Sequence, residues 1–356
     1  MNLHGPDLED RYRRVLRLLP GYYRATWEDD MAAAYLDSRM TGDEDEDEYI
    51  LEFGRPGWPE VASVAALATR LYLGGTGTPR RYFTWGQAVR HAVLAVTLLQ
   101  ATRGLAVLAL TAWSRHLLGW LPAPPASIVA GTPVGIMPPI AWYLVAYAWI
   151  VSFVALVLGH YRTAQVIAAL AIVPDLAWVL QGLLTGAFRG PLLGPCAFWA
   201  LLNLAPVLAM TAFHRDAPPA PRWPWLAALP AAYLLVAVPL TAVQATGNSA
   251  WIPDFSGLYC ILVSLACLGH VAKARSCPAA RSGAWSLALT LLAADAGAYR
   301  IFSLTDYLHD PHLISVSLVE LLILVAAVAL VPPGRVRAQA ATLAPPLNQA
   351  REDSSS

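Results

Sequence analysis

An all-α, polytopic membrane bundle of about eight helices, preceded by a small N-terminal cytosolic helical domain, is the fold that three observations predict. The 356 residues are 57% hydrophobic and only 13% charged, which excludes a disordered chain or a disulfide scaffold and points to lipid as the solvent. Between residues 91 and 331 the apolar residues form continuous runs of about 20, a length that crosses the ~30 Å hydrocarbon core only as a helix. The 24 Lys and Arg balance 24 Asp and Glu, yet residues 1–78 hold 15 acids against 8 Arg, a net of −7 that leaves +7 for the remainder. Two chemically unlike parts are joined. The even balance also excludes a basic nucleic-acid binder, so no direct nucleic-acid contact is expected.

The N-terminus, MNLHGPDLEDRYRR, lacks the apolar core of a signal peptide and is expected to stay in the cytosol. Residues 7–38 read as two short amphipathic helices: Leu8, Tyr12, Val15, Leu16 and Leu19 recur at helical spacing up to a stop at Pro20-Gly21. Trp27, Met31, Ala34 and Tyr35 continue the apolar stripe in the second. The acids from Asp43 to Glu48 repel one another and read as a solvated loop, with a metal or a basic partner as the alternative. A third segment covers Tyr49 to Phe53. A fourth starts at Pro59-Glu60 and places Val61, Val64, Leu67, Ala68 and Leu71 inward before Gly74-Gly75. This cytosolic prefix, residues 1–78, can bury only a small core.

Residues 79–90 read as an interfacial linker. Arg80, Arg81 and Arg90 surround Tyr82, Phe83 and Trp85, a pairing suited to an anionic leaflet and its headgroup level, so the six form a membrane-interface anchor. The spans of the membrane domain, residues 91–331, are expected at 91–113, 140–160, 163–184, 192–213, 224–244, 256–273, 284–304 and 313–331. With the N-terminus inside, 20 of the 24 Lys and Arg fall on the cytosolic side and only Arg115 and Arg189 outside, the bias expected of a multi-pass protein in the cell membrane with both termini cytosolic. The first span is the weakest, being broken by Gln100 and Arg103. Residues 332–356, rich in Ala, Pro and Ser, read as a disordered cytosolic tail.

The segments LEDRYRRVLRLLPGYYRATWEDDMAAAYLDS (residues 8–38) and EYILEFGRPGWPEVASVAALATRL (residues 48–71) carry a family resemblance. A Leu-rich helix ending at Leu-Pro, an acidic helix, then Phe-Gly-x-Pro before a last helix resembles the HAAS-type (permease-prefix-like) helical domain of many actinobacterial membrane proteins. The resemblance covers about a fifth of the chain and includes no catalytic residue. It implies a relay of signals between membrane spans and a cytosolic regulator, often a winged-helix protein.

Inside the spans an ionisable group costs about 2.5–3.5 kcal/mol and so needs a partner or a wet cavity. Five residues qualify as an intramembrane polar site: Arg103, Asp175, Asp295, Arg300 and Glu320. Helix counting places Arg103, Asp175 and Asp295 at one depth, where they could meet, and sets Arg300 and Glu320 within reach on consecutive antiparallel spans. Such charges either fix packing or line a path for a proton, ion or solute. Pro174, just before Asp175, frees a backbone carbonyl there.

Asp306, His309, Asp310 and His312 crowd the last outer loop, but Pro311 breaks any regular metal-ligand spacing; they are weak metal candidates beside a plain polar turn. Cys196, Cys260 and Cys267 lie in apolar runs and Cys277 in a basic loop, spaced neither as a zinc site nor as a secreted framework. Cys260 and Cys267 read as packing residues, with redox or metal chemistry as the alternative. No phosphate-cradling loop or nucleophile–base pair occurs, and no cofactor is implied. Two functions remain: a sensor or signalling adaptor coupling the spans to a cytosolic regulator, or a transporter or permease subunit working with a separate ATPase.

Overall fold

The computed structural model describes residues 7–74, 78–117, 119, 139–186, 193–213, 221–238, 255–276, 283–304 and 310–332. Among them thirteen α-helices occur and no strand. Four make the head: α1 (Leu8–Leu16), α2 (Gly21–Asp37), α3 (Glu44–Phe53) and α4 (Trp58–Tyr72). Asp7 caps α1 by accepting the Asp10 amide at 2.8 Å, and Pro20 separates α1 from α2. The rings of Tyr12 and Tyr35 stack at 3.9 Å and set the rotation of α2 on α1. That rotation buries Ala32 and Tyr35 and leaves Trp27 and Ala34 exposed, which corrects the apolar stripe expected for this helix. Leu8, Tyr12, Leu16, Leu19, Val64, Ala68 and Leu71 complete the small core.

The acidic run is helix, not loop. Asp43 caps α3, and Glu44 to Asp47 occupy its first turn, where the positive end of the helix dipole offsets their repulsion. Asp47 folds back to accept the amides of Thr41 (2.7 Å) and Gly42 (3.2 Å), holding its carboxyl below the usual carboxylate range; the Thr41 amide is the main cause.

The remaining helices are α5 (Arg80–Ser114), α6 (Pro139–Leu158), α7 (Tyr161–Ala171), α8 (Val173–Leu184), α9 (Leu193–Ala209, closed by a 3-10 turn at Met210–Ala212), α10 (Arg222–Ala232, running into a π turn at Tyr233–Ala237), α11 (Phe255–Ser276), α12 (Gly283–Ser303) and α13 (Pro311–Ala329). Residues 80–90, expected as a linker, are the first three turns of α5, because no proline interrupts the chain before Ser114. At 1.5 Å per residue α5 is about 52 Å long, well beyond the hydrocarbon core.

Three described helices are long and apolar enough to cross a membrane: α5, α11 and α13. The expected count of about eight spans is corrected accordingly. The segment 163–184 splits at Ile172, where Pro174 starts α8, into helices of 11 and 12 residues. α9 contains Pro206 and stops at 17 residues; α10 has 11 residues, contains Pro230 and gives way to the π turn. α12 has the length, with 21 residues, but Asp295, Arg300 and many small residues dilute its apolar character. α6 is apolar along its 20 residues, and the part of it whose side chains are all described, Tyr147–Leu158, is shorter than a span. The weakest expected span, by contrast, is one of the three.

α5 is the common spine. Its Val89, Val93, Leu94 and Ala101 join a core with α6, α7 and α9, while Ala88, Ala92 and Val96 join a second core with α11, α12 and α13. In the second core α11 and α12 are antiparallel, since Ser256 meets Ser303 and His270 meets Ser286. α12 and α13 are antiparallel as well, with Arg300 beside Glu320 and Gly297 beside Leu324. His91 stacks on Trp285 at 4.3 Å and Arg103 lies over Phe255, so α5 runs parallel to α12. The end of α13 therefore lies at the end of the bundle where α5 begins, beside the head. The expected tail, apart from residue 332, lies outside the described residues.

Candidate functional site

The first constellation is the junction between head and bundle. After α4, Gly74 takes a φ of 83°, in the left-handed region that a residue without Cβ adopts freely, and turns the chain toward α5. The crossing is close: a Cβ at Gly86 would overlap the carbonyl oxygen of Leu73, and one at Gly74 would stand 2.8 Å from Phe83 Cα. One turn beyond Gly86, Arg90 donates from Nη1 to the carbonyl oxygens of Leu73 and Ala212, each at 3.4 Å. Its guanidinium thus sits on the C-terminal ends of two helices, where carbonyls concentrate negative charge. Arg90 is only 4% exposed. It is a bolt through the junction and not a headgroup contact.

The other anchor residues divide. Tyr82 packs against Tyr22 (5.3 Å) and Tyr72 (5.7 Å) of the head. Burial, with Tyr82 alongside, pushes the Tyr22 phenol above its ordinary value. Arg81 covers the Tyr82 ring at 4.7 Å and donates to its hydroxyl at 3.0 Å. Arg80, Arg81, Phe83 and Trp85 are exposed, as interfacial side chains are expected to be.

The second constellation lies at the opposite end of the bundle. Arg300, fully buried, pairs with Glu320, 5% exposed. Arg300 Nη1 also donates to Ser256 (3.0 Å) and Ser303 (3.4 Å), whose hydroxyls are 2.8 Å apart. Gly257 makes the pairing possible, because a Cβ there would stand 2.6 Å from Glu320 Oε1. Three helices, α11, α12 and α13, are tied by charge-assisted hydrogen bonds in a site sealed from lipid.

Arg103 and Asp295 do not pair, although equal depth suggests that they meet. Arg103 is exposed over the ring of Phe255, 6.0 Å from its centroid. Asp295, half-buried, accepts the Tyr259 hydroxyl at 2.9 Å. Tyr259 meets Tyr299 edge-on, and Tyr299 donates to Asn203 of α9 at 3.1 Å. The backbone of Asp175 belongs to α8; its side chain lies outside the described residues.

Asp310 is the N-cap of α13, accepting the amides of His312 (3.0 Å) and Leu313 (3.3 Å), which ties up one of its carboxylate oxygens. His312 is exposed, and Asp306 and His309 lie outside the described residues. No group of three or more His, Cys, Asp or Glu placed to hold a metal occurs among the described residues. Cys260 and Cys267 are buried thiols in the second core, while the Cys196 side chain and Cys277 lie outside the described residues.

Sequence reasoning missed the roles of Gly86, Ser256, Gly257, Tyr259 and Asn203, and misplaced Arg90. One signal was present: Gly86 and Arg90 are four apart and share a helix face. A glycine opposite a carbonyl and an arginine that reaches it form one pattern. No protein-family model, curated protein or solved structure matches this chain.

Proposed function

We propose that this chain is an integral membrane protein that acts as a sensor or signalling adaptor, its bundle in the cell membrane and its head and tail in the cytosol. The single observation that carries the reading is the junction: Leu73, Gly86 and Arg90 clamp the last head helix onto α5, the helix shared by both cores. A displacement of α5 by a lipid or small apolar molecule moves α4 with it. The Lys and Arg distribution supports the orientation. The HAAS-like motifs support a cytosolic regulator, of winged-helix type, as the partner. α12 crosses with its neighbours in this reading, because the links of six and seven residues at its ends reach at most about 28 Å. Hydrogen exchange on the full chain in nanodiscs tests the coupling. Gly86→Val, which drives α4 off α5, should raise exchange across residues 58–72 and make it insensitive to changes in lipid thickness. Exchange that matches the parent chain in both respects removes the coupling.

A second reading, a transporter or permease subunit, draws on the hydrogen bonds Asp295–Tyr259 and Tyr299–Asn203, which put polar groups at mid-depth between α9, α11 and α12. A separate ATPase or a proton gradient would drive it. Proton flux in proteoliposomes, read with a pH dye, should fall on Asp295→Asn; equal flux from parent and variant dismisses this reading.

A further inference from the structure

The head carries an aromatic face that its own core does not use. Tyr49 is 66% exposed, Phe53 57% and Trp58 83%. Tyr49 and Phe53, four apart on α3, touch at 5.2 Å, and Trp58 opens α4 five residues later, within about 18 Å along the chain. Helical spacing puts Asp45 on the same stripe as Tyr49 and Phe53, with Glu46 and Glu52 on either side. All three acids are exposed. Ile50 of the same helix turns to the head core instead, so the rotation of α3 is set and its aromatic-acidic face points outward.

We propose that this face is a docking surface for a basic segment of a cytosolic protein partner, one that presents Lys or Arg around an apolar side chain. Exposed rings of this size supply the apolar anchor of an interface, and the acids around them prescribe the charge of what lands there. The same acids exclude the membrane as the occupant. Each basic residue gains about 1 kcal/mol near an anionic leaflet, so a helix starting with consecutive acids is repelled by comparable amounts. Within the head, Arg11 donates to Gly54, Arg13 pairs with Glu9 and Asp29, and Arg39 pairs with Glu60, while Arg55 is exposed between Phe53 and Trp58, so the charge that attracts the partner comes from Asp45, Glu46 and Glu52. The inference rests on the adaptor reading and names the surface through which that adaptor speaks.

The test is fluorescence anisotropy with the full chain in neutral-lipid nanodiscs. The probe is a labelled synthetic helix carrying Lys at i and i+4 around one Leu, with a Leu→Ser version as its control. Tight binding of the first peptide should weaken about tenfold or more on Phe53→Ala with Trp58→Ser. It should weaken to a similar extent on Asp45→Asn with Glu46→Gln and Glu52→Gln, and with the control peptide. Three outcomes overturn the proposal: charge variants that matter while aromatic variants do not, removal of residues 333–356 tightening binding tenfold, which would mark the tail as the occupant, or Trp58-dependent binding of anionic vesicles. The exchange experiment on Gly86→Val does not involve this face. Failure here with coupling intact sinks the surface alone, and failure of both sinks the adaptor.

Discussion

Glu320 reaches the guanidinium of Arg300 because residue 257 is glycine: a Cβ on Gly257 would stand 2.6 Å from Glu320 Oε1. The pair is the most deeply buried charge in the described bundle, and its environment dictates an asymmetric response to mutation. Removing one partner strands the other in a low dielectric, at a cost of about 3–5 kcal/mol, whereas exchanging both for apolar residues of similar volume is close to neutral. Glu320→Gln and Gly257→Val should therefore each lower the thermal midpoint in detergent strongly, while Arg300→Met with Glu320→Leu recovers most of the loss. A double variant less stable than either single one would mean that the node does more than hold three helices together.

Arg90 should behave differently, because its partners are carbonyls and not a carboxylate. Arg90→Met leaves the ends of two helices without their cation, a loss of about 1.5–3 kcal/mol for hydrogen bonds to a charged group. Hydrogen exchange should rise at the end of α4 and around Ala212 together. Both bonds leave the one Nη1 nitrogen, so Arg90→Lys, whose ammonium also carries several N–H donors, should restore part of the protection at both sites together. Exchange rising at a single site in Arg90→Met would break the link between them.

Acid should loosen α3 from its N-terminal end. The Asp47 carboxyl is held below its ordinary value by the Thr41 amide first, with help from the Thr41 hydroxyl and the Gly42 amide. A group depressed on folding contributes stability above its unfolded pKa and loses it as pH falls through the folded one. Exchange at residues 41–47 should thus be slow at neutral pH and quicken below the usual carboxylate range. Asp47→Asn should show the acid behaviour at pH 7, and an unaltered pH profile in that variant would mean that another carboxylate holds the Thr41–Gly42 turn.

Head and tail should report the same side of the membrane. α5 and α12 run one way and α11 and α13 the other, so the chain leaves the bundle at the end where it came in. Reporter fusions before residue 7 and after residue 356 should give matching cytosolic signals. Opposite signals would require a helix of the second core to be reversed.

The thiols of Cys260 and Cys267 are fully buried in the second core. Maleimide should leave both unlabelled in the folded protein and modify them only on unfolding, as peptide mass spectrometry would record. Labelling of either at neutral pH without denaturant would mean that the second core opens.

The partnership of Arg300 and Glu320 was legible in the sequence, because consecutive helices joined by a short link must be antiparallel and their residues can be matched by depth. The separation of Arg103 from Asp295 was not. Depth says nothing about rotation: Arg103 faces outward over Phe255, while Asp295 faces Tyr259. The helical state of Glu44 to Asp47 was hidden for another reason. Like-charge repulsion suggests a loop until the Asp43 cap and the helix dipole are set against it.

Hydrophobic content and its division into runs were enough to establish by themselves that this is an all-α chain with helices suited to lipid, behind an acidic head, since solvent preference is a property of each residue. Tertiary structure alone decided how many helices are both long and apolar enough to cross, that α5 is the spine of both cores, and that Arg90 is a bolt and not an anchor. Those facts depend on where helices break and how they are rotated against one another. A break or a rotation is the compromise of a whole packed neighbourhood, and no single segment carries it.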